Sequence, residues 1–188
     1  MQKTLVEAFL SNVEHRATNL ALVQADNSLT YEDLYSRAAA LTALLKDQGI
    51  SRGDRVLFFM DASADFLSLL IATWSLGAIT VLLGRQSKLE QLRYAVDKTQ
   101  PRLVVCDGPP ADTAGLETST RILHLANYSF EQTAQIDCPR EANYASIVFT
   151  SGSTGKPKGV TQCHRNLMRG ASKVVRYLNI DESDRFKH

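Results

Sequence analysis

The sequence predicts an α/β fold: a parallel sheet with helices on both faces. Three observations lead there. Short apolar runs alternate with amphipathic stretches between Arg55 and Cys106, and those stretches are long enough to be crossover helices. The apolar runs suit strands buried on both faces. Capping signals and glycines fall at the joints between the two kinds of segment.

Taken in order, Leu5, Phe9 and Val13 recur every four residues and predict a short N-terminal helix. Ala21–Gln24 and Ser28–Thr30 read as short strands joined by the turn residues Asp26 and Asn27. Thr30 caps the next helix with Asp33 as its partner; Leu34, Ala38, Leu41 and Leu45 form its apolar stripe, and Gly49 ends it. Arg55–Met60 is a buried strand. Ser63 or Asp61 caps a helix running to Leu76, and Ile79–Leu83 is the next strand. Ser87 with Glu90 reads as a capping box for a helix to about Lys98. Pro101 precedes the strand Arg102–Cys106. Asp107–Thr120 is rich in Gly, Pro, Thr and Asp and reads as a surface loop; Arg121–Leu125 is a further strand. Ala145–Phe149 is a short buried strand. Leu167, Ala171, Val174, Val175 and Leu178 share one face of a closing helix.

Composition excludes several classes. The chain has 188 residues, enough for one domain or a large part of one, with 44% hydrophobic residues and a net charge of +1. No basic block or aromatic–arginine cluster points to nucleic acid. Cys106, Cys138 and Cys163 are widely spaced and odd in number, which predicts neither a disulfide framework nor a zinc site; reduced thiols of a cytoplasmic protein are the expectation. The N-terminus lacks the apolar run of a signal peptide. Phe66–Leu83 carries no charge and is as long as a minimal membrane span. Gly77 divides it, and a buried helix followed by a buried strand accounts for both halves, so no span is expected.

One loop carries the chemistry. FTSGSTGKPKG, residues 149–159, follows a strand and precedes a helix, at the edge where open α/β sheets bind ligands. Thr150, Ser151, Ser153 and Thr154 supply hydroxyls. Gly152, Gly155 and Gly159 let backbone amides approach a ligand closely, and such amides can form a nest for anionic oxygens. Lys156 and Lys158 add positive charge around Pro157. The combination suits a polyphosphate. A Walker A loop starting at Gly152 fails because Pro157 occupies the required glycine position. Neither G-x-G-x-x-G nor G-x-S-x-G occurs. The competing reading is a solvated Gly/Ser/Thr linker; the ordered run between strand and helix argues against it.

TSGSTGKPKG is similar at every position to the signature loop of the AMP-forming adenylating enzymes: acyl-CoA synthetases, luciferases and nonribosomal peptide synthetase adenylation domains. LTYEDL at 29–34 resembles that family's LTYxEL, GISRGDRV at 49–56 its GxxxGDRV, and GAITVLL at 77–83 its GAxYVPL. HRNLM at 164–168 resembles its histidine-led helix start. Two positions depart from the pattern: Leu82 stands where proline is usual, and Gly84-Arg85 where Asp-Pro is common.

The resemblance implies a two-step reaction. A carboxylate attacks the α-phosphate of ATP, giving an acyl-adenylate and pyrophosphate, and a thiol of coenzyme A or of a carrier protein's phosphopantetheine then takes the acyl group. It implies that Thr150, Ser151, Ser153, Thr154 and Lys158 contact the β- and γ-phosphates, with Gly152, Gly155 and Gly159 allowing close approach and Lys156 a more solvent-facing cation. Mg²⁺ is expected through phosphate oxygens and waters, with no protein metal ligand in this stretch. By the same resemblance, residues 1–188 are the amino-terminal part of the large domain. The acyl pocket and a C-terminal lid with its catalytic lysine lie outside them, so no catalytic residue is assigned and the segment alone is expected to be inactive. The partners implied are a carboxylic acid and an acyl or peptidyl carrier protein, and uncovered sheet edges imply self-association. His164 reads as a helix start near the nucleotide, Trp74 as a packing residue, and Asp54-Arg55 as a strand start. Two other classes compete: a non-catalytic nucleotide- or partner-binding remnant of the fold, and a different ATP-using enzyme such as a kinase.

Overall fold

The computed structural model describes residues 4–24, 27–109, 113–116, 120–128, 134–139, 143–150, 157–181 and 184. Helix α1 (Leu5–Arg16) starts from a reciprocal cap. The Thr4 hydroxyl accepts the Glu7 N–H at 3.1 Å, and the Glu7 carboxylate accepts the Thr4 N–H at 2.8 Å. Its inner face differs from the expected Leu5–Phe9–Val13 row. Val6 is the buried residue, with Phe9 and Leu10 packed beside it. Strict four-residue spacing drifts around a helix, whereas Val6, Phe9 and Leu10 stay together on one stripe.

Strands β1 (Leu20–Gln24) and β2 (Asn27–Thr30) form a separate antiparallel hairpin that feeds α2 (Tyr31–Asp47). The Thr30–Asp33 capping box forms as the sequence predicts, and Leu34, Ala38, Leu41 and Leu45 are all buried. After α2, Gly49 takes a left-handed conformation at φ 74°.

Then come β3 (Arg55–Phe59), α3 (Ala64–Ser75), β4 (Ile79–Leu83), α4 (Leu89–Thr99), β5 (Leu103–Cys106) and β6 (Arg121–His124). Ser63 caps α3, accepting the Phe66 N–H at 3.1 Å. Gly77 separates α3 from β4 at φ 68°, where a Cβ would also sit 3.2 Å from Arg52 Cγ. Phe66–Leu83 is therefore a helix and a strand, and among the described residues no helix is long and apolar enough to cross a membrane. Helix α4 starts one residue later than the sequence predicts. The Ser87 N–H is used in a turn to Gly84 O at 2.9 Å, so Gln91, not Glu90, caps the helix by accepting the Lys88 N–H at 2.8 Å.

The last elements are β7 (Tyr144–Thr150), β8 (Lys158–Cys163) and α5 (His164–Tyr177). The main sheet has the order β6-β5-β3-β4-β7-β8. Its first five strands are parallel, and β8 runs antiparallel to β7 at the edge. The sequence reading missed β8: a strand, not a helix, follows the glycine-hydroxyl-lysine run. KGVTQC carries a glycine and mostly polar residues, and only the backbone pairing with β7 makes it a strand.

Helices cover both faces of the parallel part. On one face Leu41 and Leu45 of α2 and Leu69 and Ala72 of α3 pack on Val56, Phe58 and Val105. On the other, Leu92, Ala95 and Val96 of α4 pack on Leu57, Phe59, Val81 and Val104. Leu116 joins this second core although it falls in the expected surface loop. A third cluster seats α1 on α2 and α3 through Val6, Leu34, Ala38 and Ile71. The three cysteines are free thiols.

Helix α5 is anchored at its start and exposed along most of its length. His164 is 3% exposed, and its ring meets Trp74 of α3 edge-on at 5.5 Å. Trp74 in turn donates its indole N–H to Ala145 O at 2.8 Å, fastening α3 to β7. Neither ring nitrogen of His164 has a hydrogen-bond partner among the described residues, and burial pushes its pKa down. The apolar face farther along, with Val174, Val175 and Leu178, is exposed.

Phe58 is fully buried and packs edge-on against Phe66 at 5.7 Å. Phe58→Ala should destabilise the fold by about 3–5 kcal/mol in urea titrations followed by circular dichroism. His164 makes a second, pH-dependent test. Its folded pKa lies below its unfolded value of about 6.5, so the unfolded chain binds the proton more readily. Its share of stability is present above about pH 6.5 and is lost as pH falls below that. His164→Phe keeps a ring against Trp74, and its urea midpoint should fall less than that of the wild type between neutral pH and pH ~5.

Candidate functional site

Because β3 to β7 are parallel, their carboxyl ends share one edge of the sheet. Asp61, Arg85, Asp107, Gly108, His124 and Thr150 all emerge there. Asp107 braces the ends of two neighbours. Its carboxylate accepts the Asp61 N–H at 3.2 Å, and Arg85 Nε lies 4.0 Å away. The His124 ring donates from Nδ1 to Gly108 O at 3.0 Å, since a carbonyl can only accept. The opposite edge is structural. Arg55 donates to Thr99 O at 2.9 Å and Gln100 O at 2.8 Å, holding the carbonyl end of α4. Asp54 accepts from the Ser51 N–H and hydroxyl, both at 2.8 Å. These contacts agree with a strand-start role for Asp54-Arg55.

The glycine-hydroxyl-lysine run leaves the sheet at the carboxyl edge and returns as β8. Ser151, Gly152, Ser153, Thr154, Gly155 and Lys156 lie outside the described residues. Thr150, Lys158 and Gly159 are placed. Thr150 and Lys158 face each other as register partners, and the Thr150 hydroxyl donates to Lys158 O at 3.4 Å. Both side chains are exposed. As register partners, the Thr150 and Lys158 side chains leave the same face of the pair, where the two legs of the loop meet. Gly159 lies opposite Phe149; a Cβ there would sit 3.3 Å from Ile147 Cγ2 and 3.6 Å from Phe149 Cε1. That position leaves little room for a larger residue without moving the hairpin.

The hairpin extends past the sheet that supports it. Pairing between β4 and β7 stops at Leu82 with Val148, whereas β7 and β8 stay paired to Thr150 and Lys158. Phe149 packs against the core that α4 covers, and a side chain of α4 also meets the overhang. Tyr94 of α4 donates its hydroxyl to Pro157 O at 3.0 Å, and its ring lies edge-on to Phe149 at 6.0 Å.

Sequence reading missed Tyr94, Asp107 and His124, and treated Arg85 only as a departure from a pattern. None lies in a motif of its own. Strand order brings Asp107, His124 and Arg85 to one edge, and a search for polar residues within two positions of each predicted strand end would have found Asp107 and Arg85. Among the described residues, no group of three His, Cys, Asp or Glu side chains is placed to hold a metal.

Comparison with known proteins follows the same lines. The family described as AMP-binding enzyme matches residues 9–188. The hybrid PKS-NRPS synthetase pvhA of Talaromyces variabilis is 30% identical over 161 residues, covering 83% of this chain and 4% of that protein. Gramicidin S synthase 2 of Brevibacillus brevis is 27% identical over 184 residues, covering 97% of this chain and 4% of that protein. The chain therefore spans 4% of the length of these relatives. The solved N-terminal subdomain of Klebsiella oxytoca NpsA superposes with a TM-score of 0.76 at 24% identity, over 88% of this chain and 43% of that one, a likeness of fold. With the family matched from residue 9 to the last residue, this chain belongs to the AMP-binding enzyme family.

Proposed function

We propose that this protein takes part in ATP-dependent activation of a carboxylic acid, forming an acyl-adenylate and releasing pyrophosphate. The acyl group then passes to a thiol, of coenzyme A or of a carrier protein's phosphopantetheine arm. Residues 1–188 contribute the phosphate-gripping loop and part of its supporting sheet, as the amino-terminal part of the adenylating domain. The acyl pocket and the catalytic lysine belong to other parts of the complete enzyme, so this segment alone is inactive.

The observation that carries this reading is the TSGSTGKPKG run in a chain of the AMP-binding family, with both its ends fastened at the carboxyl edge of a parallel sheet. The exposed Thr150 hydroxyl and Lys158 ammonium fit an anionic oxygen set. Ser151, Ser153 and Thr154 add hydroxyls, Gly152, Gly155 and Gly159 allow amides to approach, and Lys156 adds a second cation. As the α-phosphate is attacked, negative charge gathers on the departing pyrophosphate. Lys158 and the loop hydroxyls stabilise that charge more than they stabilise ground-state ATP. Mg²⁺, when bound with ATP, neutralises phosphate charge and is held by phosphate oxygens and water.

The gramicidin and PKS-NRPS synthetases among the relatives support a carboxylic acid as substrate and a carrier protein as the acceptor. The exposed Val174, Val175 and Leu178 of α5 support self-association, which light scattering should register as a mass that rises with concentration.

The reaction is tested by pyrophosphate exchange into ATP with the full-length protein. A panel of amino acids, aryl acids and fatty acids serves as substrate. Exchange should depend on one of the acids, and the nucleotide product of complete turnover should be AMP. ADP as product would mark a kinase-type enzyme, and no exchange with any acid would favour a non-catalytic binding remnant. Lys158→Ala should lower kcat/KM for ATP by about 10²-fold, the usual scale for losing one group that stabilises developing charge. Unchanged exchange in that variant would remove Lys158 from the site.

A further inference from the structure

The loop reading leaves one mechanical question: what holds the overhanging tip of the β7–β8 hairpin? Lateral support from β4 ends at Val148. Beyond it, the backbone of Phe149 pairs with Gly159 and that of Thr150 with Lys158, while the Phe149 side chain packs on the core beneath. Among the described residues, β8 is the edge strand of the sheet. A two-stranded tip without further contacts is marginal in water. It would present its side chains over a range of positions.

Tyr94 meets both legs of this tip. It sits in the middle of α4, whose Leu92, Ala95 and Val96 are locked into the core beneath the sheet. Its ring packs edge-on to Phe149 at 6.0 Å with planes 65° apart, immediately before Thr150. Its hydroxyl donates to Pro157 O at 3.0 Å, immediately before Lys158. The two contacts differ in kind. The ring contact is apolar and tolerates sliding, whereas the hydrogen bond fixes one backbone carbonyl in distance and direction. Lys98 lies 5.6 Å from the Tyr94 ring centroid and covers its outer side.

We infer that Tyr94 is a positioning residue for ATP. By binding Pro157 O and packing on Phe149, it fixes the hairpin tip against α4, so that Thr150 and Lys158 meet the phosphates without first being ordered. This rests on the proposed adenylation. The ordering that Tyr94 supplies beforehand would otherwise be drawn from nucleotide binding. Its loss therefore falls on the affinity for ATP and leaves the acid untouched.

Tyr94→Phe removes the hydroxyl and keeps the ring. In pyrophosphate exchange with the full-length protein, using the acid that the wild type handles best, KM for ATP should rise about three- to tenfold, the scale of one net hydrogen bond. KM for the acid and the melting temperature should stay near wild type. Gln91→Ala serves as a stability control on the same helix: it loses the Lys88 N–H cap and should lower the melting temperature without moving KM for ATP. Hydrogen exchange without substrates gives a readout independent of activity. Amides of residues 149, 150 and 158–160 should exchange faster in Tyr94→Phe and at the wild-type rate in Gln91→Ala. The inference is overturned if Tyr94→Phe changes neither KM for ATP nor hairpin exchange, or if both variants raise KM in proportion to lost stability. If the wild type shows no acid-dependent pyrophosphate exchange, the adenylation reading fails. In that case faster hairpin exchange in Tyr94→Phe still supports Tyr94 as the anchor of the tip, and unchanged exchange overturns it.

Discussion

Strand β3 is hydrogen-bonded on both sides and buried on both faces, and the rest of the molecule is arranged outward from that double burial. Val56, Leu57 and Phe58 are fully buried, with alternate side chains entering opposite cores. A strand of this kind needs a parallel or antiparallel partner at each edge and a helix layer above and below. Strands β4 and β5 supply the partners in parallel, which requires crossover helices, and α3 and α4 cross on opposite faces. Parallel pairing then puts every carboxyl end at one edge. A ligand edge is the geometric consequence of burying β3.

The two edges of the sheet divide the polar work. At the amino edge, Arg55 satisfies the last carbonyls of α4, and Asp54 closes the turn from Ser51. Those groups are spent on structure. At the carboxyl edge, Asp107 ties down the start of the segment after β3, while Thr150 and Lys158 remain exposed at the mouth of the glycine-rich run. Exposed cations and hydroxyls at a strand end suit an anion site.

Antiparallel β8 changes what that site is mechanically. A loop running from strand to helix would be held by the sheet at one end and by the helix at the other. Here both legs are backbone-paired, and the pairing outlasts the support from β4 by two residues of β7, Phe149 and Thr150. The tip gains reach beyond the sheet and loses lateral restraint. Tyr94 adds restraint from α4, and the glycine at position 159 spares Ile147 a close contact. The buried His164–Trp74 contact does the same at the other end of the hairpin, joining the start of α5 to α3 close to Ala145.

Much of this was legible in the residues alone. The continuous apolar runs of β3 and β4, the apolar stripe of α2, the Thr30–Asp33 cap and the break at Gly77 are local features, and local physics fixes them: side-chain character and period, cap hydrogen bonds and backbone freedom at glycine. The glycine-hydroxyl-lysine run of residues 150–159 was visible in the residues alone, and the phosphate role given to it is a proposal. Strand order decided the rest. That β8 is a strand, that Val6 rather than Leu5 faces inward, and that Tyr94 reaches Pro157 across 63 positions of chain depend on neighbours outside the local segment. A backbone group or a phenol has no sequence signature for the partner it will find, so only tertiary packing could choose it.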